Sequence, residues 1–417
     1  MNNKKKVLII SEHFPPLNSM ASKRYGIMGR YLGEYQYQPY VITANQKKGC
    51  FLSAKLDLDV PFEEKRILRV GETGSNYPIH NLAVMLMLDG IEKHNWESRV
   101  IDRTYGWYEK VRQEVDLQQY KDMDVVLGTY PSMCNLLIAR YVAKKLRKPL
   151  VIDIRDLISD YRETENGKKR TLLADQFLER AIISNASGIV TATKGFERIL
   201  KKRYPHMRIS TVYNGWDDKG ECGRFNKTEI KKKYLYYAGS LYEHRLESLM
   251  RLLHVVSRLD PSEAVEIRIR SVGPADLDCK LKQRITELGL EHIVKVLKTE
   301  KEEVIREEQE GAFINLVLSS VHKEDKALMS TVPGKVFELL HQKPPVLAIV
   351  SPESEIGKIL HCTNKGIVTI DEKEILDFIR SIYRQYTGNE KICCFSRKYQ
   401  AKKLCRFLGQ VIGRVSE

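Results

Sequence analysis

The sequence predicts an α/β chain of two Rossmann-like, doubly wound parallel sheets facing an interdomain cleft. Three observations carry this. Short apolar runs alternate with helix-length segments in both halves, at the spacing of repeated βαβ units. The runs are continuous, as in Val346–Ile349, which is typical of parallel strands covered on both faces. A polar stretch, Trp216–Lys233, reads as a linker between one such series and the next.

In order, Lys6–Ile10 (KVLII) is the first buried strand, followed by the loop SEHFPPLNSMASKR, a helix from about Lys23 to Tyr35 and a strand at Tyr40–Thr43. The loop after a first strand lies at the carboxyl end of the sheet, where ligands bind in such folds. It holds neither GxGxxG nor a GKS/T ending, which argues against a nicotinamide, a flavin or a phosphate loop. Lys23 and Arg24 could meet an anion at the helix start, while Ser19 or Ser22 could simply cap it. Cys50–Gln119 is less regular and reads as helices with an insertion. Asp124–Leu127 is the next strand, with a helix from about Leu136 to Leu146.

Pro149–Ile154 is a strand closed by Arg155-Asp156, with Asp153 just before. Charged groups at the carboxyl end of a buried strand point to a site, because burying them elsewhere is costly. The alternative is an internal pair holding a loop. A helix from about Leu172 to Ser184, the strand Gly188–Ala192, a Thr193-capped helix and the strand Ile209–Tyr213 complete this half. Asn214-Gly215 then makes a tight turn.

The second half opens with the strand Tyr234–Tyr237, the turn Ala238-Gly239-Ser240 and a helix from about Leu246 to Leu259. Strands follow at Val265–Ser271, Ile293–Leu297, Phe313–Leu318 and Val346–Ile349. Cys394–Ile412 is a basic helix with Phe395, Leu404, Phe407, Leu408 and Ile412 as its apolar positions. The expected domains are 1–215, 216–393 and a terminal helix, 394–417, that could return to the first domain.

The stretch Thr331–Ile349 organises the second half. Pro333 and Gly334 lead into a short helix, and Pro344-Pro345 stops it before the strand. Lys335 and Glu338, three apart, share one face of that helix. Two readings stand: a helix start that meets phosphates and sugar hydroxyls, or a surface ion pair.

Composition narrows the class. A length of 417 residues suits two or three domains. The eight cysteines form no CxxC pair, which fits a reducing cytoplasm better than disulfides or zinc. No apolar run reaches the about 18 residues that span a bilayer, and the first strand is too short for a signal peptide. The formal charge of +15 admits nucleic acid, an anionic membrane face or phosphorylated substrates as partners. No helix-turn-helix, zinc finger or RNA-recognition signature accompanies it, so nucleic acid is not expected.

Several stretches, in the same order, resemble the GT-B glycosyltransferases of family 4, which act on bacterial polysaccharides and lipid-linked sugars. KVLIISEHFPP with RYGIMGRYLGEYQYQPYVIT resembles their first strand, loop and helix; PLVIDIRD resembles a D-x-R-D segment. ISTVYNGWD resembles the turn into their second domain, and YLYYAGSLYEHRLESLM the glycine turn that meets the donor diphosphate. VPGKVFELLHQKPPVLAI resembles the P-x-K-x-x-E helix and its strand.

The resemblance implies a nucleotide-sugar donor on the second domain and a lipid-linked or polysaccharide acceptor on the first. It implies retention of anomeric configuration, no obligatory metal and no cofactor besides the donor substrate. Arg245, Lys335 and Asp156 would be catalytic; Gly239, Ser240, Glu338 and Asn214 would hold the donor; Arg24 and Arg155 would line the acceptor side. Such a protein would be cytoplasmic and could rest on the anionic inner face of the membrane. Two departures stand out. NSMAS replaces the paired glycines of the first loop, and Ser330 stands where the E-x7-E pattern has its upstream carboxylate. A catalytically degenerate binding subunit of a glycan-assembly complex is therefore an alternative, and a sugar-nucleotide epimerase would share the architecture.

Overall fold

The computed structural model describes residues 4–17, 19–46, 63–75, 77–94, 96–97, 102, 104–159, 169–170, 172–217, 233–260, 263, 265–380 and 386–413. Most of the expected linker, 218–232, lies outside them. The described chain forms two compact units, one of residues 1–214 with 397–417, the other of residues 215–396.

The strands of the first unit are β1 (Lys5–Ile10), β2 (Tyr37–Asn45), β3 (Ile67–Glu72), β4 (Trp96–Glu97), β5 (Val125–Tyr130), β6 (Leu150–Ile154), β7 (Lys169–Arg170), β8 (Gly188–Thr191) and β9 (Ile209–Thr211). Seven of them form one parallel sheet in the order β3-β2-β1-β5-β6-β8-β9, and β4 pairs with β7. Neighbouring residues of β1 go to opposite faces, and both faces are covered. Leu8 and Ile10 pack with Leu136, Ile138 and Ile152. Val7 and Ile9 pack with Met28, Leu404 and Leu408, so the helices Met20–Leu32 and Arg397–Ile412 cover that face. Each such side chain contributes about 1.5–3 kcal/mol, which makes a one-residue slip of β1 untenable.

The second unit carries β10 (Tyr234–Ser240), β11 (Glu266–Val272), β12 (Val294–Leu297), β13 (Ile314–Leu318), β14 (Val346–Ile349) and β15 (Gly366–Thr369). They form a parallel sheet in the order β12-β11-β10-β13-β14-β15. Both sheets reverse direction beside their first strand, between β1 and β5 and between β10 and β13. Crevices at such reversal points are where open α/β sheets bind ligands.

β3 escapes the sequence reading because Arg69 and Glu72 break the apolar run that marks an inner strand. β15 escapes it although its four residues, GIVT, are the same as those of β8. The first helix begins at Met20 rather than Lys23, because Ser19 Oγ accepts the Ser22 N–H at 3.1 Å and caps it there. The helix expected from Leu246 starts at Glu243, which brings Arg245 into its first turn. The terminal helix begins at Arg397, after a 3-10 segment, Glu390–Phe395.

A buried acid at the end of the first sheet gives a pH-dependent contribution. Burial pushes the Glu197 carboxyl up, but hydrogen bonds from Lys194, Lys201 and Thr211 outweigh this and hold it at about 2. Its folded pKa is below the unfolded one, so its stabilisation is complete above the ordinary carboxylate range and disappears as pH falls toward 2. Urea denaturation should find Glu197→Gln destabilised near neutral pH, with the gap to the unsubstituted chain closing as pH falls through 4. A gap independent of pH would refute this.

Candidate functional site

The second unit gathers four of the expected residues, Gly239, Ser240, Arg245 and Lys335, at the carboxyl end of β10. The strand pairs with β13 only at Leu235 and Tyr236. Past that point its carbonyls turn to side chains. Ala238 O accepts the Lys335 ammonium at 3.0 Å, and Ser240 O accepts Arg245 Nη1 at 2.8 Å and the Tyr237 hydroxyl at 2.9 Å. The Lys335 Nζ also lies 3.9 Å from the centre of the Tyr237 ring, a cation–π contact. Gly239 is required here by its backbone, whose φ of +150° favours glycine. A Cβ would stand 2.6 Å from Lys335 Nζ and push that ammonium aside.

Lys335 sits in the first turn of the helix Gly334–His341, which holds no acidic residue in that turn. Trp216 anchors the far end, stacking on His341 with centroids 4.1 Å apart and planes 7° from parallel. A cation at a helix N-terminus is unfavourable without a neighbouring anion. Burial and then the Arg245 guanidinium hold Lys335 well below the ordinary lysine range. Arg245 Nε is buried with no hydrogen-bond partner. A buried orphan donor costs about 1–3 kcal/mol, so this arrangement asks for an acceptor. Burial, then Arg245, bring His244 down to about 4, which leaves it neutral near pH 7.

Lys335 and Glu338 do not form the surface ion pair, since the ammonium bonds Ala238 O instead. Glu338 is half-buried and makes no hydrogen bond or ion pair among the described residues. Ser330 ends the short helix Lys326–Ser330.

In the first unit the expected residues meet different fates. Asp153 is fully buried and accepts Arg24 Nε at 2.7 Å, Arg24 Nη2 at 2.9 Å and the Tyr25 hydroxyl at 2.5 Å. The rest of the Arg24 guanidinium is spent on Asn214 Oδ1 at 3.0 Å and Val212 O at 2.9 Å. Arg24 is therefore not presented to an acceptor: at 1% exposure it ties the first helix to the strand ends. Asn214 belongs to this cluster, and its carbonyl also accepts Arg397 Nε at 3.3 Å. Arg155 is turned inward too, donating through Nε to Thr129 Oγ1 at 3.1 Å and Tyr130 O at 2.9 Å. Asp156 is exposed and, among the described residues, makes no hydrogen bond or ion pair.

The sequence reading missed Glu12 and His13, which lie in the loop that follows β1. Glu12 is 5% exposed and accepts the Gly74 N–H and the Ser132 hydroxyl, each at 3.3 Å. Its own N–H donates to Asn135 Oδ1 at 2.9 Å. Burial raises its carboxyl above the ordinary range. Burial, then Arg155, lower His13 to about 4. The available signal was position alone, since SEHFPP directly follows the first strand.

The architecture is the GT-B fold: two parallel α/β sheets of seven and six strands among the described residues. Three solved structures illustrate it. Sucrose-phosphate synthase from Thermosynechococcus elongatus superposes with a TM-score of 0.61 at 11% identity, covering 99% of this chain and all of that one. Anabaena HepE, in complex with UDP and glucose, gives 0.61 at 13% identity over 97% of this chain and 100% of its own. The lipopolysaccharide outer core galactosyltransferase WaaB gives 0.56 at 13% identity over 96% and 99%. No family model matches the chain, and no curated protein matches it by sequence.

Proposed function

We propose that this chain is a retaining glycosyltransferase of the family 4 type. It would move a sugar from a nucleotide-sugar donor to a lipid-linked or polysaccharide acceptor in cell-surface glycan synthesis. The carrying observation is the electropositive end of β10, where Lys335, the orphan Arg245 Nε and a helix N-terminus converge without a carboxylate partner. A leaving nucleoside diphosphate develops negative charge, and fixed cations in a partly desolvated site stabilise it as it forms. On this reading Arg245 and Lys335 take the diphosphate and need no metal to do so. Gly239 and Ser240 leave room for it, and Glu338 accepts the ribose hydroxyls. HepE solved with UDP-glucose and MnaA solved with UDP support a uridine nucleotide as the first ligand to test. In the first unit, exposed Asp156 replaces Arg24 and Arg155 as the group offered to an acceptor.

The test is a thermal-shift screen of UDP and GDP followed by transfer from a panel of nucleotide sugars. Stabilisation by one nucleotide, with labelled sugar passing to an acceptor extract, supports the reading. No nucleotide binding and no donor hydrolysis would refute it. The degenerate binding subunit is the second reading, motivated by Ser330 in place of a carboxylate. Nucleotide binding with neither transfer nor hydrolysis would favour it.

Glu338 gives a sharper prediction. Glu338→Gln should weaken UDP by about 1.5–3 kcal/mol, the worth of a hydrogen bond to a charged group, and leave pyrophosphate binding unchanged. Calorimetry with both ligands checks this. Equal losses for the two would remove Glu338 from the ribose.

A further inference from the structure

A cavity of about 560 Å³ opens in the first unit at the outer edge of its sheet. It is lined from β9 and the helices Lys194–Arg203 and Arg397–Ile412. Its charged lining residues are Lys201, Arg208, Lys403 and Arg406, with no carboxylate, and Phe407 and Tyr399 supply aromatic surface.

The cations are differently engaged. Lys201 pairs with Glu197 at 2.7 Å, and Arg208 Nη1 donates to Gln410 O at 3.1 Å. Lys403 Nζ lies 5.9 Å from the Tyr213 ring centre. Arg406 is exposed and makes no hydrogen bond or ion pair among the described residues. The helix Arg397–Ile412 contains no acidic residue. One of its faces, with Ala401, Leu404, Phe407 and Leu408, is used up in the core. At four-residue spacing, Lys398, Lys402 and Arg406 line another face. Lys398 reaches Glu34 at 3.0 Å, while Lys402 is exposed.

We propose that this cavity holds the phosphate headgroup of an anionic membrane lipid. A phosphate matches a cation-lined hollow with no acid. The cationic stripe beside it, together with Tyr399, 43% exposed at the cavity, suits an extended anionic surface better than a single soluble ion. The site is independent of the donor chemistry, and no helix among the described residues is long and apolar enough to cross a membrane.

The experiment is co-sedimentation of the full chain with phosphatidylcholine vesicles, with and without phosphatidylglycerol, at low salt. Retention is expected only on the anionic vesicles, fading as salt rises. Lys403→Gln/Arg406→Gln should weaken it roughly thirtyfold, at about fivefold per surface cation. Lys282→Gln, on the exposed face of a helix in the other unit, should leave it unchanged. Thermal melting of both variants near that of the unsubstituted chain confirms that they fold. Three results would overturn the proposal: no retention on anionic vesicles, equal retention by the double variant, or an equal loss in Lys282→Gln. Stabilisation by inorganic phosphate that the double variant loses, without vesicle retention, would also overturn the lipid and assign a soluble phosphorylated ligand instead.

Discussion

Lys335→Ala is expected to cut sugar transfer by roughly a hundred- to a thousandfold, the cost of removing one preorganised group from developing negative charge. The fold should survive, because the ammonium bonds a carbonyl and a ring face rather than a buried acid. The same geometry fixes a pH dependence. In the free site, burial and Arg245 depress the Lys335 pKa, so the ammonium holds its proton weakly. A bound diphosphate reverses this by supplying opposite charge. Binding should therefore take up a proton, and UDP affinity should fall as pH rises through the free site's pKa. Calorimetry of UDP in buffers of different ionisation enthalpy reads this directly. An enthalpy independent of buffer at all pH values, or transfer by Lys335→Ala at the unsubstituted rate, would return Lys335 to a packing role.

Asp153→Ala is expected to be the most destabilising single change, by about 3–5 kcal/mol, because it leaves the Arg24 guanidinium buried and uncompensated. Arg24→Lys should recover little. The arginine fork bonds Asp153 through two nitrogens and reaches Asn214 and Val212 with the rest, which a single ammonium cannot reproduce. Urea denaturation of Asp153→Ala, Arg24→Lys and the double variant Asp153→Leu/Arg24→Met checks both statements. The double variant should lie closer to the unsubstituted chain than Asp153→Ala does, since it leaves no charge unpaired. A loss below about 1 kcal/mol for Asp153→Ala would show that water reaches this pair.

The sequence alone determined the alternation of strands and helices, and with it the two parallel sheets. Buried parallel strands must be apolar on both faces, so KVLII and PVLAI carry their own assignment. The end strand β3 does not, because Arg69 and Glu72 interrupt its apolar residues where one of its sides faces no neighbouring strand. The sequence also singled out Lys335, Glu338, Gly239 and Arg245 as residues of interest, through position at strand ends and through resemblance.

Tertiary structure decided what each charge is for. PLVIDIRD offers Asp153, Arg155 and Asp156 as equals, yet two of them turn inward and only Asp156 faces outward. Arg24 looked like an anion contact at a helix start until Asp153, 129 residues away, accepted it. Lys335 could equally have paired with Glu338 one turn on. The carbonyl of Ala238 and the ring of Tyr237, nearly a hundred residues earlier, hold it apart and leave the carboxylate open. Local sequence fixes which groups can be charged. Which of them lose water, and to which partner, depends on contacts between distant segments, and that decides whether a charge holds the fold together or waits for a ligand.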